Sequence, residues 1–224
     1  MARYDGIADW YDEMIHGAGA SVTAQVEELV RGLLGRGPGS CLDVACGGGV
    51  VLPRLFELGW EVTGVDVSED QLRVARGRIA SEATLVRADA AALPFADETF
   101  DAALCVLAHS DMDAYEDVAV ELARVLRPGA TLVHIGTHPC FVGPFALPRS
   151  DQPPLLHAGY HETQRVVGAV GHRPGGLRIK VGERHLPLAA LLNSVLEAGF
   201  ALRRVAESRE DPPLLFAFAA ERPA

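Results

Sequence analysis

The eleven residues Ser40-Cys41-Leu42-Asp43-Val44-Ala45-Cys46-Gly47-Gly48-Gly49-Val50 constrain this chain more than any other stretch. An apolar run from Cys41 to Ala45 ends in three glycines, and an amphipathic stretch follows from Val50 to Leu58. That order reads as a buried strand, a tight turn and a helix. Glycines at such a turn reach positive φ at little steric cost and leave no β-carbon between the backbone and an approaching ligand. The helix behind the turn offers unpaired N–H groups to an anion such as a carboxylate. Taken alone, the stretch also fits an ordinary glycine-rich turn between strand and helix. Residues 60–110 argue against that reading.

Downstream, the alternation continues. Trp60 to Val65 reads as a second strand ending at Asp66, and Ser68 with Gln71 three residues later resembles a capping box for a helix that continues over Leu72 to Ile79. Thr84 to Arg87 is a third strand, followed by Ala88-Asp89-Ala90, and Phe100 to Leu107 is a fourth, leading into Ala108-His109-Ser110-Asp111. Asp113 to Leu126 is amphipathic and stops at Arg127-Pro128-Gly129, before a fifth strand from Ala130 to Ile135. Upstream, Ile7, Trp10, Tyr11 and Met14 share one helical face within residues 3–15, and Ser21 to Leu34 is a second helix. The aromatic segment either docks on the core or forms a lid that closes Tyr4 or Tyr11 over a ligand. Strands alternating with helices over residues 40–136 predict a parallel sheet with right-handed crossovers. Ligands on such sheets bind beyond the carboxyl ends of the strands, where the glycine turn, Asp66, Asp89 and His109 fall.

Residues 137–186 break the pattern, being rich in Pro, Gly and His, with one short helix predicted around His161 to Val170. Pro187 to Ala198 then reads as a helix with Gly199 behind it. Ala201 to Val205 and Leu214 to Ala220 read as a closing antiparallel hairpin. At 224 residues the chain suits one domain. Although 49% of it is hydrophobic, no stretch is long enough to span a membrane, and the first twenty residues carry acids without an apolar signal core. A soluble, cytoplasmic protein is expected. The formal charge of −10 argues against a nucleic-acid partner, which would need clustered Lys and Arg, whereas the arginines here are scattered among acids and Lys180 is the only lysine. Cys41, Cys46, Cys105 and Cys140 form no CxxC pair and read as reduced, small hydrophobes.

The dinucleotide fingerprint GxGxxG fails at its third glycine, where Leu52 stands, which weakens a nicotinamide oxidoreductase reading. Instead Asp43-x-x-Cys46-Gly47-x-Gly49 resembles the first motif of the class I S-adenosylmethionine-dependent methyltransferases. The acid in Val65-Asp66-Val67-Ser68, the Asp89-Ala90 pair, the Leu93-Pro94-Phe95 entry to strand four and the Arg124-Val125-Leu126-Arg127-Pro128-Gly129 exit into strand five are similar to that family in the same order. Ala130 replaces the second glycine of the exit. The resemblance covers roughly residues 1–136, then weakly the terminal helix and hairpin. It implies an α/β, Rossmann-like, doubly wound seven-stranded sheet, mostly parallel with a C-terminal antiparallel hairpin and helices on both faces. The single domain 1–224 would divide into N-terminal lid helices (1–35), a cofactor-binding core (40–136), a loop-rich substrate-side insertion (137–186) and a terminal helix and hairpin (187–224).

The resemblance also implies roles. Asp66 would accept from both ribose hydroxyls of the cofactor, and the Gly47 and Gly49 amides would face its methionine part. Asp43, with Ala45 and Cys46, would meet the methionine ammonium. Asp89 would accept from the adenine amino group and Ala90 would offer its N–H to the ring. Val67 and the strand end from Cys105 to Leu107 would wall the adenine and sulfonium, and Tyr11 would close over them. His109 is the first candidate for a general base and His138 the second, and either also fits a structural histidine bonded to a loop carbonyl. Phe141, Phe145, Tyr160, His161 and His185 are candidates for an acceptor pocket. No metal site is expected, because His134, His138 and Cys140, or His157 and His161, lack structural-zinc spacing. The implied activity is methyl transfer from S-adenosylmethionine to a small-molecule acceptor such as a specialised metabolite. The alternative is a cofactor-binding protein of the same fold without methyl transfer, either a biosynthetic cyclase or isomerase or a non-catalytic partner.

Overall fold

A computed structural model describes residues 2–79, 83–149 and 152–224. Strand β1 (Ser40–Val44) lies inside a seven-stranded sheet, with every residue from Cys41 to Val44 buried. It pairs in parallel with β2 (Glu61–Asp66) on one side and with β4 (Phe100–Val106) on the other. Beyond β2 lies parallel β3 (Thr84–Arg87), and beyond β4 lies parallel β5 (Leu126–Thr137). The antiparallel strands β11 (Leu215–Glu221) and β10 (Ala201–Glu207) complete the order β10-β11-β5-β4-β1-β2-β3. The chain winds outward from β1 in both directions, so the strand order reverses between β1 and β4. A crevice opens at such a switch point, at the carboxyl ends of the strands.

Side-chain alternation fixes the two faces. Leu42, Val44, Ala103, Cys105, Leu132 and Phe218 point to the face covered by α5 (Tyr115–Val125) and α7 (Leu188–Glu197). Cys41, Ala102, Leu104, Val133, Ile135 and Ala217 point to the face covered by α2 (Ala20–Leu34), α3 (Leu52–Glu57) and the end of α4 (Glu69–Ile79). Burial on both faces is why the central strands read as continuous apolar runs. A histidine enters this core: His134 of β5 is fully buried, stacks on Phe218 at 4.9 Å and shares a 2.8 Å hydrogen bond with the Tyr115 hydroxyl through Nδ1. Among the described residues no helix is long and apolar enough to cross a membrane.

The structure departs from expectation in several places. Helix α1 covers Ala8–His16, because residues 3–7 form turns in front of it. Strand β5 begins at Leu126, four residues before Ala130, since the Arg127-Pro128-Gly129 segment continues it; the pairing with β4 shifts register between Phe100 and Ala102. Such a bulge tolerates the proline. The helix expected around His161 to Val170 is absent. There, β8 (Arg165–Val166) pairs with β9 (Glu183–Arg184), Gly168 adopts φ +74°, and the amides of Gly168 and Ala169 both donate to His172 Nδ1 at 3.1 and 3.3 Å. The remainder of this segment holds a second small hairpin, β6 (Ala146–Arg149) with β7 (Gln152–Leu156), and a short helix α6 (Leu177–Val181). Ser150 and Asp151 lie outside the described residues.

The buried Tyr115–His134 bond yields a stability prediction. Tyr115→Phe leaves the His134 Nδ1 without its partner inside the core and should cost about 1–3 kcal/mol in urea unfolding. An unchanged unfolding midpoint would show that the bond contributes nothing net.

Candidate functional site

At the carboxyl ends of β1, β2 and β4 the crevice widens into a cavity of about 540 Å³, within the range of small-molecule and cofactor sites. Its floor is the glycine turn. Gly47 takes φ +53° and its N–H donates to Asp66 Oδ2 at 2.9 Å, while Asp66 Oδ1 accepts from Ser68 N–H at 2.8 Å. Ala45 and Leu107, which leave β1 and β4 at the cavity wall, both adopt the left-handed conformation, at φ +56° and +53°. Such backbone is costly without glycine and persists where surrounding structure enforces it.

Three acids define the electrostatics. Asp43 is fully buried on the cavity wall and its Oδ2 has no hydrogen-bond partner. Burial, reinforced by the charge of Asp66, pushes its carboxyl up to about 8. Asp66 is also raised by burial, against the pull of the backbone N–H groups it accepts from. Asp111, beyond β4, is compensated: Arg178 of α6 donates to its Oδ1 at 2.6 Å and to Ser110 Oγ at 2.8 Å.

The roof comes from the N-terminal segment. Tyr4 donates to Asp111 Oδ2 at 3.1 Å and meets Tyr11 edge-on, with ring centroids 5.1 Å apart. Burial raises both phenols, Tyr11 to about 12, so both keep their protons. Arg3 pairs with Asp113, and Arg78 of α4 ties Asp12 of α1 to the Gly48 carbonyl. From the other side Lys180 of α6 places its ammonium 4.8 Å above the Trp10 ring. The lid is therefore held both by α4 and by the 137–186 segment.

The cavity wall includes Tyr11, Asp43, Ala45, Cys46, Gly47, Asp66, Val67, Asp89 and Ala90. It does not include Gly49, Cys105, His109 or His138, in departure from the sequence expectation. A β-carbon on Gly49 would stand 2.8 Å from Leu52 Cδ1 and 3.2 Å from Ala75 Cβ, so this glycine serves helix packing. Cys105 is turned by strand alternation into the core under α5. His138 uses both ring nitrogens elsewhere, with Nε2 on Glu207 at 2.9 Å and Nδ1 on the Cys140 amide at 3.1 Å. The His109 ring packs 5.1 Å from that of His134, over Gly136, where a β-carbon would strike it. Burial, then Arg178 and His185, hold its imidazole down at about 3.

The expected acceptor-pocket aromatics likewise face one another. Phe145 meets Tyr160 at 5.5 Å and His185 at 4.9 Å, Tyr160 meets His161 at 5.0 Å, and Phe141 packs on His138. The Tyr160 hydroxyl accepts from Leu188 N–H at 2.9 Å, which anchors this cluster to α7. Residues at the wall that the sequence did not suggest include Gln71, Asp111 and Met112. The capping-box spacing concealed Gln71. Its backbone N–H does reach Ser68 Oγ, at 3.3 Å, and the residue also borders the cavity.

Residues 42–134 match a family model described as a methyltransferase domain. Over 146 residues the chain is 33% identical to the demethylmenaquinone methyltransferase of Renibacterium salmoninarum, covering 64% of this chain and 61% of that protein. Over 193 residues it is 30% identical to the O-methyltransferase cnsE of Penicillium expansum, covering 72% of this chain and 69% of that protein. The aligned stretch thus falls short of two thirds of the first relative's length and just exceeds it for the second. The fold is similar to the crystal structure of an S-adenosylmethionine dependent methyltransferase from Mesorhizobium loti, with a TM-score of 0.69 and 22% identity, covering 83% of this chain and 92% of that one.

The buried Asp43 makes stability depend on pH. A carboxyl whose folded pKa lies above its ordinary value of 3.8 favours the folded chain fully below that value. The contribution is lost as pH rises through the folded value of about 8. The ligand-free protein should lose stability across that window, and Asp43→Asn should flatten the loss, as read from thermal unfolding between pH 5 and about 8.5. An identical slope in the two proteins would contradict the burial of that charge.

Proposed function

This chain belongs to the class I S-adenosylmethionine-dependent methyltransferases, and we propose that it transfers the cofactor's methyl group to a small, partly apolar molecule. The observation that carries the reading is the unpartnered, buried carboxyl of Asp43 beside Asp66 and the glycine turn, on the wall of a cavity at the switch point. A buried carboxyl without a donor fits a cationic ligand, whose charge would stabilise the ionised form. When bound, the cofactor supplies an electrophilic methyl on a sulfonium. Asp43, with Ala45 and Cys46, would hold its ammonium end, and Gly47 and Gly48 let the backbone approach. Asp66 would hold the ribose hydroxyls, while Asp89 and Ala90 would hold the adenine. Val67 and Leu107 are apolar walls for the same group.

Ala108, Met112 and Val118 extend the wall past Leu107 under the Tyr4 and Tyr11 roof. Their character suits an acceptor with an apolar body. In-line transfer demands alignment and dryness, and positioning of this kind is worth up to about 7–11 kcal/mol. A general base works best with a pKa near the operating pH, and His109, held at about 3 and turned from the cavity, does not meet that demand. The proposed catalysis is therefore positioning under a closed lid, without an imidazole base.

Calorimetric titration with S-adenosylmethionine tests the reading. The unaltered protein should bind, and Asp66→Ala should weaken binding by roughly tenfold or more, as loss of hydrogen bonds to a charged partner does. No binding by the unaltered protein would overturn the reading. Appearance of S-adenosylhomocysteine with an acceptor separates transfer from cofactor binding alone. His109→Gln should retain turnover. A loss of turnover at an unchanged melting temperature would return the imidazole to the mechanism.

A further inference from the structure

We propose that Arg178 is a positioning residue for the lid: through Asp111 it holds the Tyr4 hydroxyl, and thereby keeps the cavity closed. The device belongs to the chain itself, and only the ligand arm of its test rests on the proposed function. Among the described residues, none after Val118 lines the cavity. The 137–186 segment, which the sequence marks as the substrate side, can therefore act on the site only through residues of its wall.

It reaches that wall at two neighbouring acids. Asp113 takes Arg3 from the lid and Arg165 from the segment. Asp111 takes Tyr4 and Arg178 in the same way. The two clasps differ in exposure. The Asp113 side chain is 65% exposed, where solvent and salt screen an ion pair. Those of Asp111 and Arg178 are only 17% and 19% exposed. Both carboxylate oxygens of Asp111 are engaged, Oδ1 by Arg178 at 2.6 Å and Oδ2 by Tyr4 at 3.1 Å. The inner clasp is the stronger one.

Arg178 is itself fixed from the rear. His172 Nδ1 accepts from two amides, so its proton sits on Nε2 and goes to Glu183 Oε1 at 2.9 Å. Glu183 Oε2 lies 3.5 Å from Arg178 Nε. Glu183 alone would balance the guanidinium charge. The terminal nitrogens nevertheless reach forward, to Asp111 Oδ1 and to Ser110 Oγ. A guanidinium is a rigid planar fork, so the carboxylate it grips is held in one orientation. That orientation aims Oδ2 at Tyr4, which meets Tyr11 of α1 edge-on. Without the guanidinium, Asp111 is a largely buried charge lacking its ion-pair partner, and it turns towards water. Tyr4 is then released, and the lid with it.

The test is hydrogen exchange of the full, ligand-free chain, read at the α1 amides of Tyr11 to His16. Arg178→Gln and Tyr4→Phe should each speed exchange there by roughly tenfold, as loss of a hydrogen bond to a charged group does. Amides of β1 and β4 should not change. Because both variants break one path, the double variant should exchange within about twofold of the faster single, whereas independent contacts would multiply to about a hundredfold. Unchanged α1 exchange in Arg178→Gln would overturn the proposal. So would a rise confined to residues 165–186, or multiplication in the double variant. If Arg178→Gln fails to fold, Asp111→Asn, which keeps the side-chain shape, carries the same expectation and the same refutation. In the ligand arm, S-adenosylhomocysteine should leave Arg178→Gln faster by a similar factor, followed by tryptophan fluorescence in stopped flow; an unchanged rate would overturn the closing role. Absence of binding by the unaltered protein would overturn the proposed function, and the exchange result would still decide the role of Arg178.

Discussion

The hydrogen bond from Gly47 N–H to Asp66 joins the ends of two neighbouring strands, and the cavity is organised around it. Strands β1 and β2 run parallel with Val44 opposite Val65. The chain leaving β1 must therefore fold back across the end of β2. Cys46 N–H bonds the Val65 carbonyl at 2.9 Å on the way. Two glycines allow this path. Gly47 supplies the left-handed turn, and on β2 a β-carbon at Gly64 would stand 3.0 Å from Cys46 Sγ and 2.8 Å from Leu85. A side chain at Gly64 would crowd the turn, and one at Gly47 would hold it in a left-handed conformation that is costly without glycine.

Several unfavourable local features meet at this site. Ala45 and Leu107 are strained, Asp43 is a buried acid with an unpartnered oxygen, and Gln71 carries two unpartnered atoms. Elsewhere, acids and bases of the same neighbourhood are matched, as Asp111 is by Arg178 and Tyr4, and Asp113 by Arg3 and Arg165. The contrast separates charges that hold the lid from charges left for a ligand. Filling such a site with a ligand relieves part of the cost.

The sheet was legible because its central strands are buried on both faces and so read as largely apolar runs, with a glycine turn after β1 and an acid at the end of β2. Which face a given side chain takes was harder to read. Cys105 and Val106 are adjacent in sequence, but only Val106 reaches the cavity, and Gly49 resembles Gly47 in the motif while packing against Leu52. Gln71 stood at a spacing with two physical meanings. The 137–186 segment was least legible, since β8 and β9 are two residues each and exist only through pairing across sixteen intervening residues. Its aromatics looked like a pocket because a self-contained cluster and a ligand wall share one composition.

Lys180 sits on the Trp10 ring and is the only lysine in the chain. Any reagent or enzyme that acylates side-chain amines therefore has a single address in this protein, at the seam between α6 and the lid. Acylation there would remove the positive charge from the face of the indole, one of the contacts that join the two. The same amine offers a site for one fluorophore next to a natural indole, so that opening of the roof becomes a change in emitted light.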